Sequence, residues 1–390
     1  MEHVLPIWNQ PPPHADVVII GGGLTGVSIA YQLAVRGIGC CLLEKDNLAA
    51  GASGRNDGQI ITKTADYYPN MKEIYGAEKA RGILQFKKEG QRLLDALLAP
   101  HAERPPLDYY KVGSLSLAYN EAEAKMIERE VRELRRDGFE MELLEEAEIE
   151  TLIHTRRFAM GSLDREDASV NPAELTRLIA ALARQEGALI LENCEVRGVE
   201  SGAVLHRFGT IRCEIAILAT NAYTPRLMPA FKDLIFPTRG QIIATEPLTS
   251  GIPPIGCIAN FGYDYWHWTP TGRLMMGGRR PEDEHREVGY ELALNPKVQK
   301  ALEHLIGEIY PQYAGAPIAY RWSGTMGFSK DGLPLIGPIG GDPSLWAAAG
   351  FTGYGLGMCW AVGLAVAQVL NDEKTFFSEL ASVFSPNRFY

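Results

Sequence analysis

Residues 16–26, with the sequence DVVIIGGGLTG, decide the fold. The first five form a short apolar run rich in β-branched residues, which predicts a strand buried on both faces. The strand ends in glycines that fit the pattern G-x-G-x-x-G at Gly21, Gly23 and Gly26. In such a turn the first glycine bends the chain, the second admits a pyrophosphate, and the third lets helix and strand pack closely. The segment therefore predicts the start of a dinucleotide-binding βαβ unit.

The residues after the glycines complete this unit. Apolar residues recur at helical spacing through residues 24–36, and Gly37 is placed to end the helix. Residues 39–43 form a second apolar strand, which Glu44 closes 18 residues after Gly26. A carboxylate here accepts hydrogen bonds from the two hydroxyls of an adenosine ribose and repels a 2′-phosphate. The unit alone leaves both FAD and NAD open as cofactors.

Length and composition narrow the class of protein. A chain of 390 residues exceeds the usual size of one core, so two domains are expected. The net charge of −10 argues against a nucleic-acid partner, which would need clustered Lys and Arg. The six cysteines show no C-x-x-C pair, so we expect buried thiols and predict neither a metal site nor a disulfide framework.

Neither end of the chain predicts a membrane segment or an export signal. Residues 1–14 carry no basic region followed by an apolar stretch, so we expect a cytoplasmic protein. The apolar residues 350–370 contain four glycines between 350 and 357, which indicates a glycine loop entering a buried helix and not a membrane span.

Residues 51–59, GASGRNDGQ, bear on the choice of cofactor. Small residues with free amides just beyond the ribose-binding acid would let the chain run past a pyrophosphate towards an isoalloxazine ring. The segment resembles G-A-S-G-R-N-G-G-Q of the γ-glutamylputrescine oxidoreductase branch of the D-amino-acid oxidase superfamily, which also contains glycine and sarcosine oxidases. Asp57 stands where that branch has glycine. The resemblance spans nearly the whole chain and implies FAD as the cofactor.

Four further segments carry the same resemblance. They are the strand-like residues 190–196 and 215–220, and the glycine-containing residues 331–337 (DGLPLIG) and 350–357 (GFTGYGLG). The family usually continues the second strand as Ala-Thr-Gly, whereas this chain has Asn221. The last segment enters a helix, so its amides are expected to face the negative charge of a reduced flavin. Sarcosine oxidases attach FAD to a cysteine that is matched here by Gly324 or Thr325, so we predict non-covalent FAD.

The fingerprint and the resemblance together give a set of predicted FAD-binding residues. They are Gly21, Gly23, Thr25, Gly26, Glu44, Lys45, Ala52, Ser53, Gly54, Asn56, Gly58, Gln59, Val196, Ala219, Thr220, Leu333, Pro334, Gly353, Tyr354, Gly355 and Leu356.

The predicted fold class is α/β with an α+β second domain. A Rossmann-like FAD-binding domain is expected from a discontinuous chain, residues 15–91, 151–224 and 325–390. Residues 92–150 and 225–324 are expected to form a substrate domain with a mixed sheet, because strand-like pieces there alternate with charged helices.

The resemblance implies oxidation of the C–N bond of an amine or amino acid to an imine, by hydride transfer to flavin N5. Candidate catalytic residues are Tyr265 and His267, in an aromatic-rich segment, and Arg279, which we expect to receive a carboxylate. Gln59 and Thr62 are alternatives for facing the ring. Met326 stands where glycine oxidases have a carboxylate-binding arginine.

The electron acceptor stays open. Sarcosine oxidases place a lysine above the flavin to assist oxygen reduction, and the matching residue here is Met275. Oxygen is therefore one candidate acceptor, and a quinone or protein is the other, the chain then acting as a dehydrogenase subunit. The remaining alternatives are a nicotinamide-dependent dehydrogenase and a flavin-binding chain without catalysis. The sequence leaves open whether the protein is a homo-oligomer or part of a complex.

Overall fold

The computed structural model describes residues 11–101 and 107–389. Residues 1–10, most of the segment inspected for an export signal, lie outside the described residues. Within the described ranges, no helix combines the length and the apolar character needed to cross a bilayer.

Strands and helices occur throughout the described parts of the chain. The strands are β1 (His14–Ile20), β2 (Cys40–Leu43), β3 (Gln59–Ile60), β4 (Ser114–Leu117), β5 (Glu142–Glu145), β6 (Met160–Asp164), β7 (Ala168–Ser169), β8 (Leu189–Leu191), β9 (Val196–Glu200), β10 (Ala203–His206), β11 (Gly209–Leu218), β12 (Ile235–Thr245), β13 (Gly256–Ala259), β14 (Asp264–Trp268), β15 (Leu274–Gly278), β16 (Ile318–Ser329), β17 (Leu335–Ile339) and β18 (Asp342–Ala349). The helices are α1 (Leu24–Ala34), α2 (Ala52–Arg55), α3 (Tyr68–Tyr75), α4 (Ala77–Leu98), α5 (Glu121–Arg136), α6 (Glu146–Ile153), α7 (Pro172–Gln185), α8 (Thr224–Leu227), α9 (Pro296–Ile309), α10 (Cys359–Leu370) and α11 (Phe376–Leu380).

The first sheet has the order β17-β18-β11-β1-β2-β8. Strands β18, β11, β1, β2 and β8 run parallel, β17 is antiparallel to β18, and β9 and β10 extend the sheet from β11. Apolar residues of β1 alternate between the two faces, with Val17 and Ile19 packing under the helices and Val18 and Ile20 in the core on the other side. This parallel sheet covered by α1, α7 and α10 is Rossmann-like, as the sequence predicts.

The second sheet has the order β16-β12-β15-β14-β13-β4-β6-β5. It is mixed, because β13 runs parallel to β4 while the other pairs are antiparallel. The alternation of β14 buries Trp266 and Trp268 in a core against α9, with Leu302 and Ile306 on the helix side. The opposite face of the same strand carries Tyr265 towards a cavity. The mixed-sheet second domain is confirmed.

Strands β12 and β16 form a ribbon that joins the two parts of the molecule. They pair antiparallel from Ile235 opposite Ser329 to Thr245 opposite Ile318. Ile235 packs in the core beneath the parallel sheet, whereas Ile243 packs in the core of the mixed sheet. The two sheets therefore share one continuous piece of secondary structure.

The elements cross two of the expected domain boundaries. Strand β6 pairs with β4 and β5, so the expected cofactor block beginning at residue 151 starts instead with residues of the mixed sheet. Helix α4 continues past residue 91 and buries Leu94 and Leu98 under the parallel sheet. Short neighbouring strands pair locally and an amphipathic helix does not change cores midway, so we propose boundaries after Leu98 and near residue 165.

Candidate active site

The glycine turn after β1 has no room for side chains. Gly21 has a φ of +112°, and a Cβ on it would lie 2.7 Å from the Ala219 carbonyl oxygen. A Cβ on Gly26 would lie only 2.0 Å from the Gly21 carbonyl oxygen. Gly26 therefore acts by packing: it seats the first turn of α1 directly on the turn that Gly21 makes, which brings the helix N-terminus to the cleft.

Glu44 faces the glycine turn from the end of β2. Its Oε2 accepts a hydrogen bond from the Gly22 amide at 2.6 Å, and its Oε1 accepts one from the Asp46 amide at 2.9 Å. Burial raises the pKa of the Glu44 carboxyl, and these two hydrogen bonds oppose the rise. The carboxylate is thus fixed beside the turn, with its position set by backbone and not by a cation.

Ser53 ties the second glycine-rich segment to the first. The Leu24 amide donates to Ser53 Oγ at 2.8 Å, so α2 meets the N-terminus of α1. Asn56 closes α2 by donating to the Ala52 and Ser53 carbonyls at 2.9 Å and accepting from the Gly58 amide at 2.8 Å. Residues 51–59 therefore form a rigid turn along one wall of the cleft.

A cleft of about 550 Å³ runs between these elements. It is lined by most of the predicted FAD-binding residues, namely Gly21, Gly23, Thr25, Glu44, Lys45, Ala52, Ser53, Asn56, Gln59, Val196, Ala219, Thr220, Gly353, Gly355 and Leu356. The predicted residues that do not line it are Gly26, Gly54, Gly58, Leu333, Pro334 and Tyr354. Gly54 and Gly58 serve packing, since a Cβ would lie 2.3 Å from the Ala49 oxygen and 2.1 Å from the Val170 oxygen, respectively.

A second cavity of about 390 Å³ adjoins the cleft. Arg55, Asn56, Asp57, Gln59 and Met326 line both spaces, so the two meet there. The far walls of the cavity are largely aromatic, with Phe261, Tyr263, Tyr265, Phe328 and Tyr354. A cleft that contains a fixed carboxylate and crowded glycines, adjoining a cavity with aromatic walls, fits a bound dinucleotide whose reactive end meets a substrate.

The fold and this pair of spaces define a dinucleotide-dependent oxidoreductase. The family model for FAD-dependent oxidoreductases, DAO, matches residues 16–369. Gamma-glutamylputrescine oxidoreductase of Escherichia coli (strain K12) is 27% identical over 387 residues, covering 94% of this chain and 86% of that protein. Glycine oxidase of Geobacillus kaustophilus (strain HTA426) is 26% identical, covering 93% of this chain and 94% of that protein.

A solved structure is similar over the whole chain as well. L-proline dehydrogenase from P. horikoshii superposes with a TM-score of 0.83 at 25% identity, covering 97% of this chain and 98% of that one. The protein therefore belongs to the DAO family of FAD-dependent oxidoreductases. It is an enzyme, and FAD is its cofactor.

The three predicted catalytic residues lie in different environments. Tyr265 lines the substrate cavity. His267, two residues along β14, lines neither space, and neither of its ring nitrogens has a hydrogen-bond partner among the described residues. Burial lowers the pKa of His267 to about 4, so the ring is neutral at physiological pH. His267 thus packs behind the cavity wall as a neutral ring, and its position lends no support to the predicted catalytic role, which stays a prediction.

Arg279, which we expect from the sequence to receive a substrate carboxylate, lies outside both spaces. Its Nε lies 3.2 Å from the buried Asp264 Oδ1, and its Nη2 donates to Glu308 Oε2 at 2.7 Å. It lines neither cavity, because a φ of +52° at this residue turns the chain out of β15. An arginine already held by two carboxylates has little capacity left for a substrate carboxylate.

Arg280 occupies the position expected for Arg279. Its guanidinium carbon lies 5.3 Å from the centre of the Tyr263 ring and 4.8 Å from that of Phe328, and the side chain lines the cavity. Its nearest acidic oxygen among the described residues is Glu284 Oε1, 4.0 Å away. Stacking between two rings fixes a guanidinium while leaving its N–H groups free. No pattern in the sequence separates the two adjacent arginines.

Gln59 and Thr62, the two alternatives for facing the flavin ring, also lie in different environments. Gln59 lines both spaces. Thr62 does not: its Oγ1 donates to Asp164 Oδ2 at 3.0 Å, within a buried polar cluster behind the cavity. Asp57 also lines both spaces, but it is not among the predicted site residues. The sequence signal that could have found it is that Asp57 stands where the similar branch has glycine.

Proposed function

We propose that this enzyme oxidises the C–N bond of a carboxylate-bearing amine, an amino acid in the broad sense, to an imine. The observation that carries the proposal is the Arg280 guanidinium, stacked between Tyr263 and Phe328 in the cavity next to the FAD cleft. FAD, when bound, supplies the acceptor for a hydride at N5. The relatives named above, which act on glycine, L-proline and gamma-glutamylputrescine by their names, support the same class.

Arg280 would bind the substrate carboxylate through two parallel N–H···O bonds. Its fixed position sets the distance of the substrate from the cleft, which is the main requirement for transfer from a carbon to an acceptor held elsewhere. Tyr265 closes the same side of the cavity, and burial, followed by the charge of Asp57, raises the pKa of its phenol. The phenol therefore stays protonated and is available to donate a hydrogen bond.

The apolar walls would reduce the amount of water at the site once a substrate fills the cavity. Met326, Phe328 and Ile242 lie on the strands that join the two sheets, and Phe261 and Tyr354 lie opposite. Water exclusion strengthens the charge interactions of Arg280 and protects an imine from hydrolysis before release.

A dehydrogenase that passes electrons to a quinone or a protein is the second candidate. Met275 replaces the lysine that assists oxygen reduction in sarcosine oxidases, and the similarity to L-proline dehydrogenase supports the same direction. With a protein as the acceptor, the chain would work as one subunit of a complex; with a quinone, it would need no protein partner.

One experiment tests the proposal and separates the two candidates. Purified holoenzyme is mixed anaerobically with glycine, sarcosine, L-proline or gamma-glutamylputrescine, and flavin bleaching is followed by absorbance. At least one of them should bleach the flavin, and the Arg280→Met variant should need about 10- to 100-fold more substrate for the same rate. Rapid recovery of colour in air supports an oxidase, and slow recovery supports the dehydrogenase. Failure of all four, with glycerol 3-phosphate bleaching instead, would contradict C–N oxidation.

A further inference from the structure

We infer that Asp57 binds the substrate nitrogen and offsets the positive charge that develops on it, so that the substrate is held between Asp57 and Arg280. The inference rests on the proposed function and specifies which end of the substrate faces the flavin. It starts from a residue that the resemblance does not explain, since the similar branch has glycine at this position.

Asp57 lies where the cofactor cleft and the substrate cavity meet. Its side chain lines both spaces, together with Asn56 and Gln59. It follows directly on the turn that α2 and Asn56 fix along the cleft. A carboxylate at this junction borders both the substrate cavity and the cofactor cleft, whereas Arg280 borders the cavity alone.

The Asp57 carboxylate has no cationic partner in the protein. No Lys, Arg or His nitrogen of the described residues lies within 4.0 Å of it. Its one side-chain hydrogen bond within the described ranges comes from Gln59 Nε2, at 2.6 Å from Oδ2. His267 is neutral, and burial raises the pKa of Asp57 to about 6. The backbone amides of Asp57 and Gln59 also act on this carboxylate, so its partners are neutral amides, and a bound cation would compensate its charge further.

Asp57 and Arg280 carry opposite charges and shift the pKa of the same phenol, that of Tyr265, in opposite directions. Tyr265 has its pKa raised mainly by burial, then by Asp57, and lowered by Arg280. Both charged groups therefore lie near enough to Tyr265 to act on its pKa, and among the described residues they form no ion pair with each other. A small molecule that carries both a nitrogen and a carboxylate would satisfy both charges, whereas a plain amine or a plain acid satisfies only one.

The position also suits the chemistry. FAD, when bound, would accept the electron pair of the C–H bond together with the hydrogen as hydride. The nitrogen lone pair would form the C=N bond, and the nitrogen would become positively charged. A carboxylate fixed beside that nitrogen stabilises the charge most when it is fully developed. Asp57 thus contributes both to binding and to the rate of flavin reduction.

Matched ligand pairs test the inference. The pairs are glycine and glycolate, sarcosine and methoxyacetate, and L-proline and tetrahydrofuran-2-carboxylate, in which oxygen replaces nitrogen. Dissociation constants come from the shift of the flavin spectrum under anaerobic conditions, and reduction rates from stopped-flow absorbance. The pair used is the one whose amine member reduces the wild-type enzyme; failure of these three amines and of gamma-glutamylputrescine, with glycerol 3-phosphate bleaching the flavin instead, would refute the proposed function itself.

With that pair, Asp57→Asn and Asp57→Gly should weaken the amine member about 10- to 100-fold and slow flavin reduction. Binding of the oxygen analogue should change less than about 3-fold, because Arg280 still holds its carboxylate. The exposed Asp233→Asn serves as the control for loss of one negative charge. Equal weakening of both members, or no weakening of either in a variant that keeps its FAD, would overturn the assignment to Asp57 while leaving amine oxidation intact.

Discussion

The packing of Gly26 on Gly21 leads to a quantitative prediction for Gly26→Ala. The added Cβ would start 2.0 Å from the Gly21 carbonyl oxygen, whereas real Cβ atoms essentially never come closer than 3.0 Å. The N-terminal turn of α1 must therefore retreat by about 1 Å from the turn after β1. Overpacking of this kind costs about 1–3 kcal/mol of folding free energy. The amides that face the cleft move with the helix, so FAD affinity should fall by about 10- to 100-fold.

Two measurements check this prediction. Urea unfolding of the FAD-free protein reports the stability loss, and titration of that protein with FAD, followed by flavin fluorescence, reports the affinity. Gly198→Ala is the matched control, because its Cβ would meet nothing closer than 3.8 Å, at Leu205 Cβ, and its φ is not positive. Wild-type stability together with wild-type FAD affinity in Gly26→Ala would refute the packing argument.

Three further predictions follow from the site. Glu44→Gln should weaken FAD binding about 10-fold or more in the same titration, because a charge-assisted acceptor for the ribose hydroxyls is lost; unchanged affinity would remove Glu44 from the cofactor site. Arg279→Met should lower the free energy of unfolding, measured in urea, by about 3 kcal/mol, because it leaves the buried Asp264 carboxylate without its cationic partner. Substrate affinity should stay nearly unchanged. A loss of affinity without a loss of stability would indicate that Arg279 binds the substrate. His267→Gln should abolish a loss of stability at acid pH. The pKa of His267 is about 4 in the folded protein and about 6.5 in the unfolded chain, so its contribution to the free energy of unfolding is full above pH 6.5 and falls by about 3 kcal/mol towards pH 4. Parallel curves of unfolding free energy against pH for wild type and variant would contradict this.

The FAD-binding part of the molecule could be predicted from the sequence because its features depend on residues close together in the chain. The glycine spacing, the β-branched strand and Glu44 all lie within about thirty residues. Gly54 and Gly58 were predicted to contact the cofactor, but they pack against backbone that leaves no room for a Cβ. A close cofactor contact would require glycine for the same reason. Sequence cannot separate those two reasons for a glycine.

The substrate side was harder because it depends on contacts between distant segments. Arg279 and Arg280 are neighbours, and only the left-handed turn at Arg279 decides which of them enters the cavity. Thr62 faces Asp164, about a hundred residues away, and Tyr265 faces the cavity while His267 on the same strand face is sealed off. Strand β6 likewise joins the mixed sheet beside β4 and β5, and its five residues do not reveal which of the two sheets it joins.

The ribbon of β12 and β16 restricts how small molecules enter and leave. Ten consecutive residue pairs and an eleventh beyond a bulge hold it together, and its ends are anchored in two separate cores. A hinge motion that separated the two sheets would break the hydrogen bonds of this ribbon, so wide domain opening would be costly. Exchange of small molecules would therefore involve local movement of the cavity wall, where Phe261 of the turn Asn260–Gly262 lines the cavity and is half exposed, its amide donating to Glu123 Oε1 at 3.2 Å.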